Sequence, residues 1–351
     1  MNKLSLLTLF VGFLGAQSSA QQFTYVPINV QCATTATAES CPAGLMPGQV
    51  APQTSAKGIN ARGDIVGFYI DSAKHQHGFL LKDGQFASLD FNDSKVSSVR
   101  VTIANGINPE GDIVGQYTLP VNDPKQPFAE SSPLYCPTAP DPACIKGFLY
   151  RHGKFSTIMF PGHPGAIAQR ITPDGHIYGC LHDHDLGNSM FGAVWSGSDN
   201  ASLTADGGET TDGMAMPMSM NNGATPGGQV IGGLWVDMNS QQHGFLVRDG
   251  MFQPYDPTST TILTAIWDMN PSQHFVGTYI DAGARHGFLQ LPDGSAPIKV
   301  DVTFQDASGN VVTALATIAF GINPDGVIVG QYTVVSGGAI HGFAAMPVST
   351  N

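Results

Sequence analysis

The 351-residue chain carries only 12 % charged side chains, 42 glycines and a formal charge of −12. About a quarter of residues are charged in an average chain, so this balance suits strands and tight turns on a near-neutral surface rather than long helices. With 15 Lys plus Arg and no basic patch, it excludes nucleic acid and anionic membrane as natural partners.

Residues 1–20 read as a cleavable export signal: Lys3, an apolar run from Leu4 to Leu14, then Ser18 and Ala20 before Gln21. No later apolar stretch approaches the ~20 residues that a membrane helix needs. No cysteine follows the leader where a lipid would attach. The expectation is a soluble protein secreted to the periplasm or the exterior. An exported chain with five cysteines should form disulfides, and the local pairs are Cys32 with Cys41 and Cys136 with Cys144. Cys180, between strand-like neighbours, is expected to be a buried, inert thiol.

From residue 53 onward the chain repeats itself. Gly58-Ile59-Asn60 returns as Gly106-Ile107-Asn108 and Gly321-Ile322-Asn323, with weaker copies at Ile171-Thr172, Met220-Asn221 and Met269-Asn270. Each is followed by an apolar strand containing a glycine, assigned as Gly67, Gly115, Gly179, Gly232, Gly277 and Gly330, at intervals of 45 to 64 residues. Such a period is that of a propeller blade. Within a unit an inner strand ends in Ile-Asn, a second follows (Ile65 to Tyr69), a third opens His77-Gly78-Phe79, and Asp83-Gly84 turns the chain into a fourth.

The predicted fold is therefore all-β: a six-bladed β-propeller of four-stranded blades, one domain over 21–351. Blades start near 53, 101, 165, 213, 262 and 315, with an insertion at 118–146. The sixth unit ends after its third strand, His341-Gly342-Phe343, and residues 23–30 can supply the missing outer strand. Closure of that kind leaves no free sheet edge. An open β-solenoid is the alternative, and it gives no reason for the complementary gap. The pattern Gly-Ile-Asn, Gly-x-Ile-Val-Gly-x-Tyr, His-Gly-Phe resembles that of bacterial HAF-repeat, or probable extracellular repeat, proteins. The resemblance implies export and a repeated β architecture, and no activity or functional residue.

Variable connections gather on one face, at 92–100, 118–146, 161–165, 199–213 and 301–312, so a site is expected there or at the channel mouth. Lys57, Asn105, Gln169, Arg170, Trp267 and Asp268 fall near the ends of inner strands, where a core would be apolar. They are candidates to line a polar channel, with Arg170 holding a carboxylate and Trp267 stacking on a sugar ring. The competing reading is an Arg170–Asp268 ion pair that plugs the channel. His163, His182 and His184 form a candidate Zn or Cu site, since alternate residues of an extended segment point the same way. Met214, Met216, Met218 and Met220 suggest Cu(I), but three of them align with Val101, Ile103 and Ile107 and so read as core. His77, His243, His286 and His341 open third strands, too far apart to share one ion, and are expected to form hairpin-internal hydrogen bonds, to backbone or, for the first three, to Asp71, Asp237 and Asp281. Asn92-Asp93-Ser94 and Asn200-Ala201-Ser202 match glycosylation sequons.

No nucleophile elbow, His-Glu-x-x-His helix or phosphate loop is present. The expected function is a secreted binding or interaction module for a glycan or other extracellular ligand. The alternative is an extracellular hydrolase or lyase, metal-dependent or not, built on Arg170, Asp268 or the His182–His184 segment at the channel mouth.

Overall fold

The computed structural model describes residues 23–92, 99, 101–119, 136, 144–158, 165–182, 190–196, 204–205 and 218–348. The export signal, His163, His184, Met214, Met216 and both sequon serines lie outside them, as do most residues of the long loops; the backbone of His182 lies inside, at the end of a strand.

Among the described residues regular structure is almost entirely β. The inner strands of the six units are Gln53–Ile59, Val101–Ile107, Ala166–Ile171, Met218–Ala224, Leu263–Met269 and Ala316–Ile322. Each pairs antiparallel with the next strand in the chain, which pairs antiparallel with the third, as in Gln53–Ile59, Ile65–Ile70, Gln76–Lys82 and Gln85–Leu89 of unit one. Two-residue turns with positive φ at both positions close the hairpins, at Asp83-Gly84, His152-Gly153, Asp249-Gly250 and Ala282-Gly283. That geometry matches the right-handed twist of the strands it joins.

Unit six holds only Ala316–Ile322, Ile328–Thr333 and His341–Pro347, and its fourth strand is Phe23–Ile28, paired antiparallel from Phe23 opposite Pro347 to Ile28 opposite Gly342. Ladder hydrogen bonds join units one and two into an eight-stranded sheet and units three to six, with the N-terminal strand, into one of sixteen. Packing continues where the ladders stop. Inner strands neighbour one another in chain order and the sixth neighbours the first, where Thr54 N–H also donates to Ile340 C=O at 2.9 Å. The variable segment 301–312 holds a hairpin of its own, Thr303–Gln305 with Val311–Thr313.

The repeated glycine of the second strand has a steric cause. A Cβ on Gly67 would lie 2.0 Å from the Ser55 carbonyl oxygen and 2.8 Å from the Phe79 ring. Phe79 is the aromatic of His-Gly-Phe, so the two motifs are halves of one contact: the ring occupies the space that a side chain would fill. Phe148 on Gly115, Phe288 on Gly277 and Phe343 on Gly330 repeat it. In unit four the residue beneath Phe245 is Gly233 rather than Gly232. The inner strand there is correspondingly displaced. It ends at Ala224-Thr225, four residues beyond the Met220-Asn221 that sequence similarity selects, because Gly223 and not Ser219 follows the register shift. Met220 therefore corresponds to Ile103 and Met218 to Val101.

All six inner strands carry that irregularity, between Ala56/Gly58, Ala104/Gly106, Ala168/Arg170, Asn221/Gly223, Ile266/Asp268 and Ala319/Gly321. One extra residue is left unpaired and its side chain re-aimed. The extra residues are Lys57, Asn105, Gln169, Asn222, Trp267 and Phe320, which is why polar and aromatic side chains occur inside otherwise apolar strands.

Both local disulfides form, Cys32–Cys41 with Cα atoms 5.1 Å apart and Cys136–Cys144 with Cα atoms 4.6 Å apart. Cys180 is free and buried, and burial pushes its thiol up to about 12, which keeps it protonated and unreactive. No helix among the described residues is long and apolar enough to cross a membrane.

Candidate functional site at the centre of the inner strands

After each bulge residue comes the one closest to the neighbouring strands: Gly58, Gly106, Arg170, Gly223, Asp268 and Gly321. Backbones meet there. A Cβ on Gly58 would lie 2.9 Å from Asn105 O, one on Gly106 2.9 Å from the Arg170 Cα, one on Gly223 2.8 Å from the Asp268 Cα, and one on Gly321 3.1 Å from the Gly58 Cα. Four glycines leave room for two charged side chains.

Arg170 fills that room. Its Nη1 donates to the carbonyls of Asn105 and Gln169 and its Nη2 to those of Lys57, at 2.9 Å, and Phe320. Its Nε lies 3.1 Å from Asp268 Oδ1. One guanidinium thus ties units one, two, three, five and six. Asp268 is held in turn by N–H groups of Met269 on Oδ1, 2.8 Å, and of Ile322 on Oδ2, 3.0 Å. Burial raises the Asp268 carboxyl above its usual range, opposed by Arg170 and these N–H donors.

The bulge residues pack on the other side of this plug. Asn105 Nδ2 donates to Ala168 O at 3.0 Å, Asn222 Nδ2 to Ile266 O at 2.8 Å, and Gln169 Nε2 to Met220 Sδ at 3.2 Å. Lys57 keeps part of its surface in solvent, but its ammonium lies 3.3 Å from the centre of the Phe320 ring and 5.5 Å from that of Trp267. Trp267 meets Phe320 edge to face at 5.2 Å. Desolvation and, second, the Arg170 charge bring Lys57 down to about 7. Of the residues singled out in the sequence, Lys57, Asn105, Gln169, Arg170, Trp267 and Asp268 are thus brought together, around a filled centre.

Outside the plug, where inner strands turn into second strands, lies a shallow, solvent-open depression of about 70 Å³. Its wall is the last residue of each inner strand: Ile59, Ile107, Ile171, Ala224, Met269 and Ile322. Its rim is Ala61, Pro109, Pro173, Pro226, Pro271 and Pro324, with Arg170 and Asp268 at the floor. Between wall and rim, Asn60, Asn108, Asn270 and Asn323 brace the turns. Asn60 Oδ1 accepts from Asp64 N–H at 3.0 Å, while its Nδ2 donates to Asn108 O of the next unit at 3.1 Å. Asn323 Nδ2 donates to Asn60 O, 3.4 Å, across the junction of units six and one.

The third-strand histidines are fixed chiefly by an acid that sequence reading missed. His77 Nδ1 donates to Asp90 at 2.8 Å, His243 Nδ1 to Asp256 at 2.8 Å and His286 Nδ1 to Asp301 at 2.7 Å. These acids end the fourth strands, 13 to 15 residues after the histidine, a spacing that would have revealed them. Of the expected partners, Asp71 is bonded as well, accepting from His77 Nε2 at 3.4 Å, whereas Asp237 lies 3.7 Å from His243 Nε2. Asp281 instead accepts from Thr260 Oγ1 at 2.8 Å. In unit six Asn29, just past the N-terminal strand, takes the acid's place opposite His341, at 3.3 Å.

No family model and no curated protein matches the chain. Solved structures with a similar backbone include the SapL1 lectin in complex with alpha methyl fucoside, 12 % identical over 84 % of this chain and 94 % of that one, TM-score 0.46. TolB from Acinetobacter baumannii is 11 % identical over 84 % and 63 % of the respective chains, TM-score 0.45. The Aleuria aurantia lectin in complex with Fucalpha1-6GlcNAc is 12 % identical over 71 % and 78 %, TM-score 0.39. At such identities and scores they carry nothing to the chemistry of this chain.

Proposed function

We propose that this protein is an exported six-bladed β-propeller of the HAF-repeat type, serving as a binding module for a neutral saccharide or similar polyol in the depression over the Arg170–Asp268 plug. The cyclic packing of inner strands and the N-terminal strand in unit six support the propeller; the two disulfides support export. The observation that carries the ligand class is the floor. Arg170 and Asp268 neutralise each other, and every guanidinium nitrogen already faces a carbonyl or the carboxylate, so no unpaired charge awaits an anion or cation. The Ile and Pro wall and rim offer apolar surface to the C–H face of a sugar ring. The same arrangement disfavours a catalytic role for Arg170, whose donors are fixed in the backbone.

A glycan array followed by calorimetry on the full chain tests this. Ala61→Trp, at the one rim position without proline, should fill the depression and lower affinity at least about tenfold, roughly 1.4 kcal/mol, without changing the melting temperature. Saccharide binding indifferent to Ala61→Trp would move the site elsewhere, and turnover of a bound glycan would favour the hydrolase reading.

A further inference from the structure

The corner of unit one carries a side-chain cluster that the depression does not use. Asp71 follows the second strand, and the next four residues turn back so that His75 N–H donates to Asp71 Oδ1 at 2.8 Å. That bond occupies one carboxylate oxygen and leaves the other, Oδ2, facing two imidazoles: His75 Nδ1 at 3.6 Å and His77 Nε2 at 3.4 Å. The three ligand atoms all lie within 4.8 Å of one another.

We propose that Asp71, His75 and His77 bind a zinc ion, with Asp90 orienting His77. With Zn–N and Zn–O bonds of about 2.0–2.1 Å in a tetrahedral site, neighbouring ligand atoms stand roughly 3.3–3.5 Å apart. Both separations from Asp71 Oδ2 fall near that edge length; the one to His77 is a long hydrogen bond, and the one to His75 is too long for one. Asp90 accepts the His77 Nδ1 proton at 2.8 Å and so orients the ring with Nε2 toward Asp71 and His75; the Nε2 proton that Asp71 Oδ2 now accepts at 3.4 Å is the one zinc would replace, the outer-sphere arrangement that metal-bound histidines use. Tyr69 stacks on His77 at 5.0 Å and holds the ring plane. Gly44 lies over Asp71, where a Cβ would come within 2.4 Å of Oδ2. Asp71 and His77 are largely enclosed, and His75, half exposed, leaves the fourth ligand position open to water.

Unit four supplies an internal comparison. Its cradle repeats the pair, His243 between Asp256 and Asp237, but Gln241 stands where unit one has His75. The His–carboxylate pairs alone are thus structural, and His75 is the residue that adds a third ligand.

Untagged full chain, stripped with chelator and titrated with Zn²⁺ by calorimetry, should bind one ion, and Co²⁺ should give visible d–d absorption. His75→Gln, which installs the side chain of unit four, should abolish both while leaving the metal-free melting temperature unchanged. Asp90→Asn should weaken zinc by about 10–100-fold, and His243→Gln should not affect it. Absence of zinc binding to the unaltered chain, binding that survives His75→Gln, or binding lost instead in His182→Ala/His184→Ala would overturn the assignment.

Discussion

Where four of the six inner strands carry glycine, Arg170 places a guanidinium whose Nη donors end on four carbonyls and whose Nε pairs with a carboxylate at 3.1 Å. Removing one partner of such a buried pair leaves the other uncompensated, at about 3–5 kcal/mol. Arg170→Met should therefore lower stability by that order in urea unfolding, and adding Asp268→Asn should cost less than the sum of the two single changes, because they share one interaction. Lys57 makes a pH prediction. Its pKa falls from an ordinary 10.5 to about 7 on folding, so between those values the unfolded chain binds more protons than the folded one. Its contribution to stability then rises with pH from about 7 to about 10.5, and burying the charge is unfavourable below that window. Lys57→Met should abolish this rise, read as melting temperature against pH for both proteins. Residue-scale chemistry was partly legible: the departures at Arg170 and Asp268 stand out against the repeat, and both the plug and the open channel were readable from them. What selects the plug is the close approach of Gly58, Gly106, Gly223 and Gly321, a distance that no sequence pattern states.

Among elements, the pairing of a second-strand glycine with the third-strand phenylalanine explains two motifs at once. It also gives a test at unit four. Gly233→Ala would drive a Cβ to 2.0 Å from the Met220 carbonyl, whereas a Cβ on Gly232 meets the Ile266 side chain at 3.0 Å, where a methyl group can yield. Gly233→Ala should destabilise the chain by several kcal/mol, as expected of overpacking against backbone, and Gly232→Ala by less than about 1–3 kcal/mol, measured by urea unfolding. The reverse order would restore the alignment that sequence similarity suggested. Hairpin turns and third strands were legible because Asp-Gly and His-Gly-Phe are local signals. Unit four was misread by four residues because Met220-Asn221 imitates Ile-Asn while its true counterpart, Ala224-Thr225, keeps only the geometry. The bulges and the acids Asp90, Asp256 and Asp301 escaped notice because their partners lie on other strands.

At the scale of the whole molecule, six units that each leave faces and edges uncovered must cover one another. Phe23–Ile28 pairs with the last strand from Pro347 back to Gly342, and the Asn323–Asn60 and Thr54–Ile340 contacts join the last unit to the first. The incomplete sixth unit made that strand's destination legible from sequence. Which residues of neighbouring inner strands meet was not, since those contacts follow from packing between strands rather than from any one strand. Ring closure by the N-terminal strand is the claim on which the rest stands, and disulfide trapping tests it most directly. Thr24 lies opposite Met346, so a Thr24→Cys/Met346→Cys variant should oxidise to an intramolecular bond in the monomer, seen by mass spectrometry of non-reduced peptides. Thr24→Cys/Val348→Cys, two residues out of register and beyond the ~7 Å that a disulfide can span, should not. Equal trapping of both pairs, or trapping only between molecules, would contradict the closed ring.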